Sequence, residues 1–146
     1  MTETTRTVTV SRRIARPIDA VFEAWITPEW LTRWYAPVDD WIVGKSEVVE
    51  GVGGHYVVHF GPAPEGMDYV EQGTYLEFDR PNRLVWEGTV SDGEEELLRT
   101  EITFEPDGDG TLVTVTETGL RSDESAAEHD EGWTTALANL EAALVG

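Results

Sequence analysis

Three histidines, His55, His59 and His129, are the side chains here whose ordinary pKa suits proton transfer near neutrality, and they are also the best nitrogen donors for a metal. His129 stands in HDEGWTTALANLEAAL (residues 129–144), directly before Asp130 and Glu131. Such a run is either an acid–base or metal-binding cluster or the solvated front of a helix. His55 and His59 frame HYVVH, a stretch whose alternation points to a strand. Four strand steps cover about 13 Å at about 3.3 Å each, whereas zinc ligands sit only about 2 Å from their metal. The pair cannot share an ion there, although the same spacing would serve on a helix. Adjacent helix residues do not face each other, so Asp130 does not back His129. The reading is no metal and no cofactor.

Covalent chemistry has little support. The chain has no cysteine, which removes disulfides, thiolate metal sites and a thiol nucleophile. No nucleophile elbow, Walker loop or dinucleotide fingerprint appears, and Gly51-Val52-Gly53-Gly54 is a tight strand connection with no helix behind it. What remains for catalysis is general acid–base work by His129, Tyr56 or His59. Each of these roles competes with a purely structural one.

The elements that must position these residues follow from periodicity. Val8, Val10 and Ile14 share one face of an opening strand, interrupted by Arg12. Pro17 suits a first helical position, and Ile18, Val21, Phe22 and Trp25 follow at helical spacing. Thr27-Pro28-Glu29 restarts a second short helix holding Trp30, Leu31 and Trp34. Residues 41–49, 54–60, 68–78, 83–90, 97–104 and 112–118 read as strands. The turn signals between them include Glu50-Gly51, Gly61-Pro62, Asp92-Gly93 and the run 107–110. Connections that short join antiparallel neighbours.

The final segment reads as a long helix. Ser125 and Glu128 fit a capping box, and Asp130 and Glu131 then suit the positive end of the helix dipole. His129, Trp133, Ala136, Leu137, Leu140 and Leu144 form one stripe that should be buried. Gly132 interrupts it at about 1 kcal/mol relative to alanine, which points to a close backbone approach or to room beside Trp133.

Composition narrows the function classes. The chain's 146 residues suit one domain, here 1–146, and its 40% apolar content without a long apolar run marks a soluble globular chain and not a membrane span. The polar start MTETTRTVTV reads as no signal peptide, with the cytoplasm as the default address. A formal charge of −19, with Lys45 the only lysine, repels nucleic acid and anionic membrane surfaces alike. The acid is spread along the chain, as a solvated surface (adapted to salt, for example) or as a docking face for a basic partner. The oligomeric state is left open, a homodimer included.

The assembled order is strand, two short helices, six strands and a long helix, which lets one antiparallel sheet bend around one rod. That order, with VFEAWITPEWLTRWYAP (21–37), GVGGHYVVHF (51–60), GTYLEFDRPNRLVWEG (73–88), TEITFEPDGDGTLVTVTETGL (100–120) and HDEGWTTALANLEAAL, resembles the activator of heat-shock-protein-90 ATPase homologue-like family. The family belongs to the START-like (SRPBCC) superfamily. The resemblance implies an α+β helix-grip fold like that of the birch pollen allergen: a curved antiparallel sheet of about seven strands around a long C-terminal helix, with two short helices after strand 1. It also implies an apolar cavity between sheet and helix. Members bind lipids, hormones or polyketides, and some are cyclases, aromatases or other lyases. Two features depart from the pattern. The usual tryptophan pair ending the second helix reads Trp34-Tyr35, which puts a hydroxyl where a second indole is common, and the surface is unusually acidic.

Strand alternation nominates the cavity wall. Tyr56, Val58 and Phe60 should face the helix, with Leu76 and Phe78, Leu84 and Trp86, Ile102 and Phe104, and Val113 and Val115. A flipped register would put Tyr75 in place of Leu76. The expected ligand-binding set is Trp34, Tyr56, Val58, Phe60, Leu76, Trp86, Ile102, Phe104, Trp133 and Leu137. The only polar groups expected inside are Tyr56, His129 and the Trp34 N–H. The leading expectation is binding or sequestration of a small hydrophobic or aromatic ligand. The alternatives are a polyketide cyclase/aromatase- or lyase-like enzyme using acid–base catalysis in the same cavity, and, from the family name alone, a chaperone-linked interaction protein.

Overall fold

The computed structural model describes residues 5–90 and 97–145. The expected turn at Asp92-Gly93, the acidic run behind it and the first four residues lie outside the described residues. Among those described, the order is β1 (Arg6–Ile14), α1 (Ile18–Ile26), α2 (Pro28–Trp34), β2 (Trp41–Val49), β3 (His55–Pro62), β4 (Tyr69–Asp79), β5 (Arg83–Val90), β6 (Leu98–Asp107), β7 (Gly110–Leu120) and α3 (Asp123–Val145). The seven strands form one sheet in the order β1-β7-β6-β5-β4-β3-β2, with every neighbouring pair antiparallel. Short turns dictate that order from β2 to β7. The first strand then closes on the last, which leaves β1 and β2 as the two edges. The sheet curls into a half-barrel gripping α3, and this is the helix-grip fold.

Alternation places the core as periodicity predicts. Tyr56, Val58, Phe60, Leu84, Trp86, Ile102, Phe104, Val113 and Val115 are buried on the inner face. On α3 the stripe Trp133, Ala136, Leu137, Leu140 and Leu144 is buried, and His129 lies half-buried at its head. Trp25 of α1 stacks on Trp133 (ring centroids 5.9 Å apart, planes at 21°) and packs edge-on against Trp34 and Phe104. The short helices are thereby fastened to both the sheet and the rod.

Three expectations are corrected. Leu76 points outward, 39% exposed, and Tyr75, 2% exposed, holds the inner position. The pairing of β4 with β5 slips between Tyr75 and Glu77, and such a bulge inserts one residue and reverses the alternation beyond it. Phe78 therefore returns to the inner side, edge-on to Tyr75 at 5.1 Å and to Phe22 at 5.8 Å. The long helix also starts earlier than expected. Ser122 Oγ accepts the backbone N–H of Ser125 at 3.0 Å, so the cap is Ser122, and Asp123 and Glu124 are the first-turn acids. Ser125 is buried inside the helix, and Asp130 and Glu131 lie well past the first turn as exposed residues. Pro17, finally, precedes the first helical residue of α1 instead of occupying it.

Among the described residues no helix is long and apolar enough to cross a membrane.

Candidate functional site

The two halves of α3 meet different surroundings. Its C-terminal half packs directly on the sheet through Leu137, Leu140 and Leu144. Beside its N-terminal half, between the helix and the β2–β4 end of the sheet, a pocket of about 510 Å³ remains. Tyr35 and the following Pro37, Val38 and Asp39 form one side, and Trp41, Phe60, Tyr69 and Glu71 come from β2, β3 and β4. His129, Gly132, Trp133 and Ala136 contribute from α3, with Glu128 and Glu131 at the mouth. A Cβ on Gly132 would lie 3.2 Å from the Pro37 ring. This glycine is a point of close approach between the helix and the loop after α2, and it sets Trp133 and His129 beside Tyr35.

Aromatic rings make most of the wall. Trp41 stacks on Tyr69 at 5.0 Å and on Phe60 at 6.2 Å, with planes within 26° of parallel. On the other side Tyr35 meets Trp133 edge-on at 5.9 Å. Cross-strand alternation explains the first group, because Phe60 pairs directly with Tyr69 and aromatic pairs of this kind stabilise a sheet.

Glu71 is the polar centre of the pocket. Tyr35 Oη donates to its Oε2 at 2.6 Å and Tyr56 Oη donates to the same oxygen at 2.7 Å. Among the described residues Oε1 takes no hydrogen bond. On balance the carboxyl is raised to about 7, with burial the largest cause. The two phenolic hydrogen bonds and His129 pull it back down, and the charge on Glu117 pushes it further up. Both phenols are driven well above their ordinary value, first by burial and then by the neighbouring Glu71. At neutral pH the two tyrosines are thus fixed donors, and Glu71 is a carboxyl balanced between its two protonation states.

Tyr56 reaches Glu71 because residue 73 is glycine. Tyr56 and Gly73 are direct cross-strand partners, and a Cβ at position 73 would lie 2.6 Å from the Tyr56 ring. The phenol lies flat over β4 only in the absence of that carbon.

A second carboxylate, Glu117 of β7, is almost fully buried. Its Oε1 pairs with His129 Nδ1 at 2.6 Å and accepts the Trp133 indole N–H at 3.2 Å, and its Oε2 accepts the Thr100 hydroxyl at 2.8 Å. The residues around His129 therefore do form an ionisable cluster. Its carboxylate comes from the sheet, and Asp130 takes no part in it.

The structure brings Phe60, Trp133 and His129 to the pocket, and places Tyr56 behind Glu71. Val58, Trp86, Ile102, Phe104 and Leu137 lie in the packed core. The Trp34 N–H donates to the Ala24 carbonyl at 2.9 Å, so it holds α1 to α2 and is not presented to the pocket. Leu76 is on the outside, as is His55, near Glu47 at 3.9 Å. His59 sits on the outer face of β3. No three His, Cys, Asp or Glu side chains converge as metal ligands among the described residues.

Sequence reasoning missed Glu71, Tyr35, Trp41 and Tyr69 as pocket residues, and Glu117 as the buried partner of His129 and Trp133. Three of them had a readable signal. Val113, Val115 and Glu117 continue one alternation, and Tyr69, Glu71, Gly73 and Tyr75 form the odd-numbered face of β4, which the bulge makes the inner one.

A half-barrel gripping a long helix, with a pocket at one end of the grip, is the architecture of the START-like (SRPBCC) superfamily. The model of the family Activator of Hsp90 ATPase homolog 1-like protein matches residues 15–145, and the chain belongs to that family. The chain is similar to protein CV1439 of Chromobacterium violaceum (25% identity, covering 93% of this chain and 94% of that one, TM-score 0.80). It is equally similar to the AHSA1-like protein of Aeromonas hydrophila (25% identity, 95% and 92% covered, TM-score 0.80). DynU16, a protein of the dynemicin biosynthetic locus, shares the fold at 18% identity, with 94% of this chain and 46% of that chain covered and a TM-score of 0.75. No curated protein matches the chain.

Proposed function

We propose that residues 1–146 form one START-like domain that binds a small apolar or aromatic molecule in the pocket between α3 and the β2–β4 end of the sheet. The observation that carries this reading is the pocket itself. It holds about 510 Å³, within the range of small-molecule sites. Its walls are aromatic and its single central polar group is Glu71. The recognition is more polar than a greasy hollow would give, because the ligand meets a carboxyl and the edge of His129. Membership of the family and the likeness to DynU16, a protein of a biosynthetic locus, agree with a small-molecule ligand.

Native mass spectrometry and tryptophan quenching against a panel of lipids and aromatic polyketides test this. We expect at least one stoichiometric ligand that protects Trp133, and loss of its binding in Ala136→Phe, which fills the pocket. Uniform failure across the panel, or binding indifferent to Ala136→Phe, would count against the reading.

One observation favours an enzyme acting in the same pocket: a carboxyl that titrates near neutrality stands between two fixed phenolic donors, the setting of a general base. Conversion of a bound polyketide that disappears in Glu71→Gln while binding persists would establish that role. Binding without conversion leaves a carrier.

A further inference from the structure

The chemistry around the pocket selects among apolar ligands by charge. Five aromatic residues face it, Tyr35, Trp41, Phe60, Tyr69 and Trp133, together with four carboxylates, Asp39, Glu71, Glu128 and Glu131. Among the described residues no lysine or arginine lines it. The one basic side chain there, His129, has Nδ1 on Glu117, so any positive charge on that ring is already matched by a buried carboxylate.

An anionic ligand, a carboxylate or a phosphate, would find no lysine or arginine among the described lining residues, three carboxylates at the edge and, at the centre, a carboxyl that gains negative charge as pH rises. A neutral ligand would gain from the rings and nothing from the acids. A cation gains from both, since its charge is attracted to aromatic faces and to carboxylates, most strongly where water is excluded. The hydrogen-bonding pattern adds direction. Both tyrosine hydroxyls occupy Oε2 of Glu71, and among the described residues Oε1 is left as an acceptor at the pocket wall. An N–H of the ligand suits that position.

We propose that the ligand is an organic amine, bound as an ammonium with an N–H on Glu71 Oε1 and its apolar body among the aromatic rings. This rests on the pocket-binding reading above and adds the ligand's chemical class. The raised titration of Glu71 agrees with it, because a buried carboxyl shifts upward when no cation stands beside it. The groups facing that carboxyl are Tyr35, Tyr56, Glu117 and His129, and a bound ammonium would be the only unmatched positive charge among them.

The test uses three probes of one shape: 1-naphthylmethylamine, 1-naphthalenemethanol and 1-naphthoic acid, titrated calorimetrically into the whole protein. The buffer contains about 0.3 M sodium chloride, so that attraction to the acidic surface is largely screened. We expect the amine to bind about tenfold or more tightly than the alcohol, and the acid to bind more weakly than either. Glu71→Gln should remove most of the amine's advantage and leave the alcohol unchanged. Alcohol or acid binding as tightly as the amine would overturn the amine assignment and leave the pocket reading standing. An amine advantage unchanged by Glu71→Gln would place the cation on the surface and likewise overturn it. If none of the three binds, the amine assignment fails, and the lipid and polyketide panel above decides the pocket reading separately.

Discussion

The two ends of α3 rest on the same sheet and are built on opposite terms. At the C-terminal end, Leu140 and Leu144 share one core with Ile14, Val21 and Val113. The buried Thr111 hydroxyl there is satisfied by the Arg16 carbonyl at 2.9 Å, and the rim is tied by Arg12 to Glu141 and by Arg16 to the Leu144 carbonyl, each at 2.9 Å. At the N-terminal end, two carboxylates point in from β4 and β7, and space is left between the surfaces. The first end maximises apolar contact. The second gives up contact and accepts buried acid, which costs stability unless each group is hydrogen-bonded. One end of the grip serves the fold and the other is shaped for something it does not itself contain.

That contrast is open to mutation, and the dry end should give the largest effect. Leu140 is fully buried, so Leu140→Ala should lower stability by about 3–4 kcal/mol, from lost burial plus the cavity left behind. Ligand affinity should be unchanged. Urea unfolding measures the first and calorimetry the second, and a loss below about 1 kcal/mol would mean that this end is not close-packed.

Next comes the pH dependence of the wet end. Glu71 sits at about 7 in the folded chain against an ordinary 4.5. Between those values the folded protein keeps a proton that the unfolded chain has released, so this group's contribution to stability falls as pH rises. The full loss is about 3 kcal/mol, at roughly 1.4 kcal/mol per pH unit. Stability of the wild type minus that of Glu71→Gln should drop by about that amount from pH 4.5 to pH 8 in urea titrations. A flat difference would show that the carboxyl is well solvated.

Glu117→Gln should cost less, about 1–2 kcal/mol. The amide keeps one acceptor oxygen but turns a donor toward partners that themselves donate. Its effect should be visible as altered Trp133 fluorescence. Smallest is Leu76→Thr, which should change stability by less than about 0.5 kcal/mol, as expected of an exposed side chain. A larger loss would contradict the outward placement of Leu76 at the bulge.

Most of the fold was legible because alternation and helical spacing report directly on which face is wet. The inner faces of β3 and β5 and the apolar inner positions of β6 and β7 were read residue by residue, and so was the leucine stripe of α3. The pocket was read less well, for three physical reasons. The bulge at Tyr75–Glu77 reverses a two-residue period, and no local residue type announces it. Charged side chains are ordinarily assigned to solvent, which hid Glu71 and Glu117, although the second simply extends Val113 and Val115. Tyr35 was visible as an unusual hydroxyl, but its partner lies 36 residues away in sequence. The helix cap was misplaced because Ser125 and Glu128 fit a capping box, whereas Ser122, which caps the helix, has a serine and not Glu or Gln three positions on.

The contact between Gly132 and Pro37 bears on how a molecule gets in. The far end of the rod is anchored among leucines, and its near end rests on the loop at a spot where even one methyl group would crowd. The rod is therefore held at both ends, and the segment carrying the exposed Val38 and Asp39 borders the pocket directly after that contact. Exchange rates for any guest should follow changes in that segment more closely than changes in the helix.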